Sequence, residues 1–159
     1  MSRDASGKDP EQARPEDATA LTELARRAYE RFIPIMNAVP LPMTADYAAL
    51  IGSADVWVMR SAAGIGASLV LVPQGDHLLI ESIAVDPDRQ GEGLGREMLH
   101  WALKRAREQG FNELRLYTNV LMHENRAWYK RAGWTELHEE QRGDKRIVHF
   151  AYRFQPVAQ

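Results

Sequence analysis

Apolar and polar positions change their period along this chain, and the changes mark the predicted elements. From Pro15 the apolar residues recur at helical spacing, which predicts an amphipathic helix that runs to about residue 33. The apolar stripe of this helix consists of Leu21, Leu24, Ala25, Ala28 and Phe32. Three prolines between Pro34 and Met43 predict an apolar loop or broken helix, which precedes a short second helix over about residues 45–51.

The middle of the chain contains short runs of β-prone residues. These are VWVM at 56–59, ASLVLV at 67–72 and LLIESIAV at 78–85, and the turn signals SAAGIG and PQGD separate them. The spacing predicts three consecutive antiparallel strands.

The rest of the chain alternates between the two periods. It predicts a helix over 94–109, a strand over 113–118, a helix over 123–131 and strands over 135–140 and 147–154. This order indicates a mixed α/β (α+β) fold in one domain that spans residues 13–159. Residues 1–12 carry charges, Gly, Ser and Pro with almost no large apolar side chain, so we expect a flexible tail there.

Composition narrows the class of protein. The chain has 159 residues, of which 45% are hydrophobic, which suits one globular domain. Its formal net charge of −2 argues against a broad basic surface for binding nucleic acid. Zero cysteines exclude disulfides, thiolate catalysis and cysteine zinc sites. The five histidines lack metal-ligand spacing, so no metal is expected. Neither a secretory signal nor a membrane-length apolar run occurs, so we expect a cytoplasmic protein without a membrane partner.

A glycine-rich loop carries the most informative chemistry. The run AVDPDRQGEGLG ends a strand and places Gly91, Gly93 and Gly95 where the long helix begins. Unpaired N–H groups and the helix dipole then point at one spot, which favours a bound phosphate. Between Asp86 and Arg115, six basic residues balance six acidic ones, so backbone amides would hold the phosphates with help from Arg89 and Arg96.

Two familiar phosphate motifs do not fit this loop. A P-loop needs Lys and then Ser or Thr after its last glycine, but Arg96 and Glu97 follow Gly95. The dinucleotide fingerprint fails on its third glycine, where the two possible registers give Arg96 or Met98. A merely flexible loop is the alternative to an anion site.

The loop Gln90-x-x-Gly93-x-Gly95 after a V-x-P strand end resembles the acetyl-CoA pyrophosphate loop of the GCN5-related N-acetyltransferase (GNAT) family. The run NRAWYKRAGW at 125–134 is similar to the closing motif of that family. The resemblance implies the GNAT fold, in which helices flank a central, mostly antiparallel twisted sheet and the phosphate loop joins strand 4 to the long helix. Because residues before Pro15 are hardly β-prone, the first strand of this fold is expected to be short, irregular or absent.

The resemblance also implies acetyl-CoA as co-substrate and a set of residues that bind it. Strand residues Ile83, Ala84 and Val85 would hold the pantetheine arm, at a bulge or splay, and a backbone N–H there would polarise the thioester carbonyl. Either Asn119 or Asn125 would contact CoA. The residues of the phosphate loop that would bind CoA are Arg89, Gln90, Gly91, Glu92, Gly93, Leu94, Gly95 and Arg96.

Two residues are candidates for proton transfer. Tyr129 matches the general acid of the family, and a phenol with a pKa of about 10 suits a thiolate leaving group, although simple packing with Trp128 and Trp134 is the alternative. Glu81 interrupts an apolar strand on the face of Ile83 and Val85, which indicates either a general base or a structural ion pair. His123 and Glu124 are fallback bases, although a polar first turn of a surface helix explains them better.

These inferences predict an N-acetyltransferase that works by direct attack in a ternary complex, since the chain has no cysteine for a covalent intermediate. A non-catalytic acyl-CoA-binding module is the alternative, and a structural protein with an incidental glycine loop is a third. The acceptor would be a small-molecule or peptide amine, and a homodimer is possible for this family. By the resemblance, the acceptor pocket would be walled by Tyr29, Phe32, Met36 and Met43, unless these residues belong to the core.

Overall fold

Helices and strands alternate along the computed structural model, which describes residues 9–154. The helices are α1 (Ala18–Tyr29), α2 (Ile33–Met36), α3 (Tyr47–Ser53), α4 (Leu94–Glu108) and α5 (His123–Arg131). The strands are β1 (Glu11–Gln12), β2 (Asp55–Ser61), β3 (Gly64–Gln74), β4 (His77–Val85), β5 (Glu113–Asn119), β6 (Thr135–Arg142) and β7 (Lys145–Arg153). The long helix after the glycine loop, the helix that carries Tyr129 and the three consecutive strands therefore lie where the sequence predicts them.

The seven strands form one sheet in the order β1-β2-β3-β4-β5-β7-β6. All neighbours are antiparallel except β4 and β5, which run parallel. The parallel contact consists of two pairs, Leu78 with Leu114 and Leu79 with Arg115. Beyond Leu79 the two strands separate, which gives the splay that the resemblance implied and confirms the predicted fold class.

Helices cover both faces of this sheet. One face packs against α4, whose apolar stripe runs from Leu94 to Ala106, together with Tyr129 and Trp134. The other face packs against α1 and α3, through residues such as Leu21 and Tyr47. The stripe predicted for α1 is buried along its whole length. Each of its leucines stabilises the fold by about 2 kcal/mol through burial.

The N-terminal region differs from the prediction at one boundary. Glu11 and Gln12 form the two-residue strand β1, which pairs with Val58 and Trp57, so the first strand is present but short. The predicted tail boundary at residue 12 is therefore wrong, because backbone pairing already begins at Glu11. Residues 1–8 of that tail lie outside the described residues. Within residues 9–154, no helix has the length and apolar character needed to cross a membrane.

A buried ion pair fastens the start of α1 to β2. Asp17 is 6% exposed and accepts two hydrogen bonds from the Arg60 guanidinium, each 3.0 Å long. The backbone N–H of Arg14 donates a third bond of 2.8 Å to the same carboxylate. The bonds from Arg60 outweigh the burial and hold the pKa of Asp17 below its usual value.

We expect Asp17→Asn to lower the free energy of unfolding by about 2 kcal/mol at pH 7, because it leaves Arg60 without its buried partner. Since the pKa of Asp17 is depressed in the folded state, this stabilisation is complete above the unfolded pKa of about 3.9 and is lost as the pH falls through the folded value. Urea unfolding at several pH values measures both effects. Glu16→Gln is the matched control, since Glu16 is exposed and lies 3.8 Å from Arg14. Equal losses in the two variants would contradict the assignment.

Candidate active site

The site forms where β4 leaves β5, and a β-bulge shapes the strand at that point. In the pairing of β3 with β4, Val70 lies opposite Ser82 and Leu71 opposite Ile80, so Glu81 has no partner. The bulge breaks the two-residue alternation of the strand. Ile83 and Val85 consequently pack in the same core cluster as Ile80. The predicted common face for Glu81, Ile83 and Val85 is therefore wrong, and Glu81 is exposed.

Backbone groups on the β5 side of β4 face the gap between the strands. The N–H of Asp86 donates to the carbonyl oxygen of Gly66 over 2.8 Å, which makes the flanking pair of Ala67 and Val85 a non-hydrogen-bonded pair. By alternation the pair of Leu69 and Ile83 is also non-hydrogen-bonded. The N–H and C=O groups of Ile83 and Val85 therefore point away from β3, whereas those of Ala84 point towards it.

Tyr29 forms a hydrogen bond with one of these backbone groups. Its hydroxyl donates a 2.5 Å hydrogen bond to the carbonyl oxygen of Ile83. Burial is the main cause that raises the pKa of Tyr29, so this phenol stays protonated and keeps donating. The N–H of Ile83 is thus the polar group of that residue left for a ligand in the gap.

The loop after β4 is held in a shape that exposes the start of α4. Arg27 bridges the carboxylates of Asp86 and Asp88 at 2.8 and 2.9 Å, which ties the loop to α1. Gly91 and Gly93 adopt positive φ angles of 92° and 86°, a conformation that side chains disfavour. The first hydrogen bond of α4 runs from the N–H of Glu97 to the carbonyl of Gly93. The N–H groups of residues 94–96 therefore point out of the helix end.

Gly95 has a different role from the two glycines before it. A Cβ at this position would lie 3.2 Å from two ring atoms of Trp128, so the absence of a side chain lets α4 approach α5. This close approach brings α5 to the edge of the glycine loop.

A cavity of about 720 Å³ lies between these elements. We call it the phosphate cavity because the loop and the exposed end of α4 line it. Of the predicted cofactor residues, it is lined by Ile83, Ala84, Val85, Gln90, Gly91, Gly93, Leu94, Gly95, Arg96 and Asn125. Its charged lining consists of Arg31, Arg96, Arg131 and Glu124, so positive charge prevails.

Three residues of the predicted set do not line this cavity, namely Arg89, Glu92 and Asn119. Arg89 forms an ion pair with Glu92 at 3.1 Å, and its guanidinium lies against Gly66 of β3. The side-chain oxygen of Asn119 accepts a 3.0 Å bond from the N–H of Leu121 and closes a turn. Of the two candidate asparagines, the structure thus brings Asn125 to the phosphate cavity.

Sequence reasoning missed two cations of the phosphate cavity. Arg31 follows α1, and Arg131 ends α5. Basic residues commonly end helices because they interact with the dipole, so their positions along the chain carried no signal for phosphate. Arg31 and Arg131 come together at this cavity only because the ends of α1 and α5 pack around the glycine loop.

A second cavity of about 170 Å³ opens on the other side of Ile83. We call it the acceptor cavity. Four residues line both cavities and form the junction between them, namely Tyr29, Ile83, Asn125 and Tyr129. Of the predicted pocket residues, Tyr29 and Met36 line the acceptor cavity, Phe32 lines the phosphate cavity, and Met43 lines neither.

Glu81 reaches the acceptor cavity through the bulge. Its carboxylate forms no ion pair with any residue in the range 9–154, so the structural pairing considered as its alternative role is not what holds it there. Of the fallback bases, Glu124 lines the phosphate cavity and His123 lines neither cavity. Over the described part of the chain, no cluster of three or more His, Asp or Glu residues is placed to hold a metal ion.

Tyr129 lies at the junction and is also packed among aromatic rings. Its ring centroid lies 5.1 Å from that of Trp128, 5.6 Å from that of Phe150 and 6.0 Å from that of Trp134. Burial raises the pKa of Tyr129 above its usual value, which keeps the hydroxyl protonated. Aromatic packing thus fixes the ring while the residue lines both cavities.

The chain belongs to the acetyltransferase (GNAT) family, whose model matches residues 46–134. This match includes β4, the glycine loop, α4 and α5, while other residues that line the cavities, such as Tyr29 and Lys145, lie outside it.

Known proteins agree with this membership. Human N-acetyltransferase 8B is 28% identical over 153 residues, and rat N-acetyltransferase family 8 member 3 is 30% identical over 89 residues. These matches cover 88% and 52% of the chain, but they span 66% and 39% of the two relatives, which is less than two thirds of their length. The PaiA N-acetyltransferase of Thermoplasma acidophilum, solved with coenzyme A, has the same fold at 14% identity, with a TM-score of 0.75 over 89% of this chain and 96% of that one.

Proposed function

We propose that this protein is an acetyl-CoA-dependent N-acetyltransferase that transfers the acetyl group to a primary amine by direct attack in a ternary complex. The observation that carries the proposal is the junction of the two cavities beside the unpaired edge of β4. One cavity suits a phosphorylated cofactor, the other suits an acceptor, and they meet at a backbone N–H and a phenol. Membership of the acetyltransferase (GNAT) family supports the same activity.

The proposed cofactor site follows from the phosphate cavity. The pyrophosphate of CoA would accept hydrogen bonds from the exposed N–H groups at the start of α4, as anions do at helix ends. Arg96, Arg31 and Arg131 would neutralise its charge. The pantetheine arm would run along β4, where the backbone groups of Val85 are free to pair with its amides. This path leads the thioester to Ile83.

Attack on the thioester requires a neutral amine and a stabilised oxyanion. Glu81, directly or through a water molecule, would accept a proton from the ammonium group in the acceptor cavity. The amine nitrogen then forms a bond to the carbonyl carbon, and negative charge moves onto the carbonyl oxygen. The N–H of Ile83 would donate a hydrogen bond to that oxygen, because Tyr29 already occupies the carbonyl of the same residue.

Collapse of the tetrahedral intermediate breaks the bond between carbon and sulfur. The departing sulfur takes the electron pair, and Tyr129 would donate its hydroxyl proton towards the developing thiolate. Burial keeps this phenol neutral, so its hydroxyl proton is present when the thiolate forms, but the raised pKa also makes it a weaker acid than a phenol in water. The nitrogen and Glu81 then release their protons to solvent, and solvent returns a proton to Tyr129. The products are the acetylated amine and free CoA.

The proposal predicts that Tyr129→Phe lowers kcat about 100-fold while the KM for acetyl-CoA stays within about threefold, since one proton donor is lost and the ring packing remains. The measurement is release of free thiol from acetyl-CoA in the presence of a panel of amines. The protein has no cysteine of its own, so it adds no thiol background.

Tyr152→Phe is the matched control for this variant, because Tyr152 packs against Trp134 and lines neither cavity. An unchanged kcat in Tyr129→Phe would contradict the assigned role. Tight binding of acetyl-CoA without thiol release across the whole panel would instead favour the non-catalytic binding module.

Two arginines of the glycine loop provide a matched test of the cofactor site. We expect Arg96→Ala to weaken CoA binding about tenfold, because a charge that lines the phosphate cavity is removed. We expect Arg89→Ala to change it less than about twofold, because Arg89 pairs with Glu92 outside that cavity. Calorimetric titration with CoA at two salt concentrations measures both affinities. A larger loss in Arg89→Ala than in Arg96→Ala would place the phosphates elsewhere.

A further inference from the structure

The acceptor cavity restricts the acceptor by its walls and by its charge. We propose that the acceptor is an apolar monoamine, meaning one primary amine on a hydrophobic body such as an aralkyl group, and that polyamines are excluded. This inference rests on the proposed function, because it names the substrate class of the same site. It is carried by three observations: the apolar wall, the charge of the lining and the exposed apolar residue at the mouth.

The wall of the acceptor cavity is mainly hydrophobic. The segment from the end of α2 into α3 contributes Met36, Pro40, Leu41, Pro42, Ala45 and Leu50. The sheet contributes Ile80, Leu116 and Ile147 on the other side. A ligand body that fills this space gains about 25 cal/mol for each Å² of apolar surface that it buries. A polar body would lose its water over most of this wall, because hydrogen-bonding side chains such as Ser82, Thr118 and Asn119 are the minority of the lining.

The charged lining consists of one acid and one base. Glu81 and Lys145 are the charged residues of the cavity wall, and Lys145 forms no ion pair with any residue described by the structure. A single ammonium group can face Glu81. A second ammonium group on the same molecule would find no further carboxylate in the wall and would meet the cation of Lys145. The lining therefore matches one positive charge and opposes two.

The mouth of the cavity extends its apolar surface outward. Leu41 is 61% exposed although it lines the cavity, so a ligand body that reaches past the wall covers it. Ile35 and Val39 are also exposed large apolar residues and lie in the same segment of the chain. An acceptor longer than the small cavity thus meets apolar surface at its exit, and burial of that surface favours binding.

The test compares phenethylamine with spermidine as acceptors for the full chain, by thiol release from acetyl-CoA. We expect kcat/KM for phenethylamine to exceed that for spermidine at least tenfold. Lys145→Glu should shift this ratio towards spermidine about tenfold, because the wall then carries two acids and no base. Leu41→Ser should raise the KM for phenethylamine about fivefold. Leu121→Ser is its matched control, since Leu121 is 44% exposed and lines neither cavity.

The outcomes separate this inference from the proposed function. Thiol release with spermidine equal to or faster than that with phenethylamine would overturn the acceptor class and leave the transferase standing. If no amine causes thiol release, the proposed transferase activity is refuted. Calorimetric titration of the CoA-loaded protein with phenethylamine then tests the acceptor class by binding alone. Binding of phenethylamine that Leu41→Ser weakens and Leu121→Ser does not would support the inference. Absence of that binding would overturn it.

Discussion

The separation of β4 from β5 is the constraint on which the rest of the site depends. Backbone N–H and C=O groups inside a protein need partners, and a sheet that opens in its middle leaves a row of them unpaired. After Leu79 this sheet opens, and the alternation set by the Asp86 bond turns the free groups of Ile83 and Val85 into the gap. Tyr29 satisfies one of these groups. The others form a free edge for an extended ligand, between the cavity proposed to hold phosphates and the cavity proposed to hold an apolar amine.

The two cavities differ in the charge of the residues that line them. Around the glycine loop three arginines face one acid, and the exposed end of α4 adds the positive pole of a helix. Around Glu81 one acid and one base cancel within an apolar wall. The proposed reaction uses this difference, since phosphates need a positive site whereas a neutral amine nucleophile needs one base and little water. Ile83 and Tyr129 lie at the boundary, where bond making and bond breaking would occur.

The helices and strands were predicted well because their signals lie in residues that are close together in the sequence. The glycine loop, the stripe of α1 and the helix that carries Tyr129 all follow from spacing and turn chemistry between near neighbours. The bulge at Glu81 does not, because it depends on how β3 and β4 pair, and it changed the face on which Glu81 lies. Arg89 could not be told from Arg96 by spacing either, since its pairing with Glu92 and its contact with Gly66 are set by the folded loop. Arg31 and Arg131 reach the phosphate cavity only through packing of distant helices.

Hydrogen exchange at the Ile83 amide tests the central claim most directly, because that N–H is the group proposed to face the thioester oxygen. The exchange rate of this amide is measured by NMR with and without acetyl-CoA, beside the amide of Ala84, which points towards β3. The account predicts that acetyl-CoA slows exchange at Ile83 at least tenfold and changes Ala84 much less. An Ile83 amide that exchanges equally fast in both states, while the amides at the start of α4 respond to the cofactor, would contradict it.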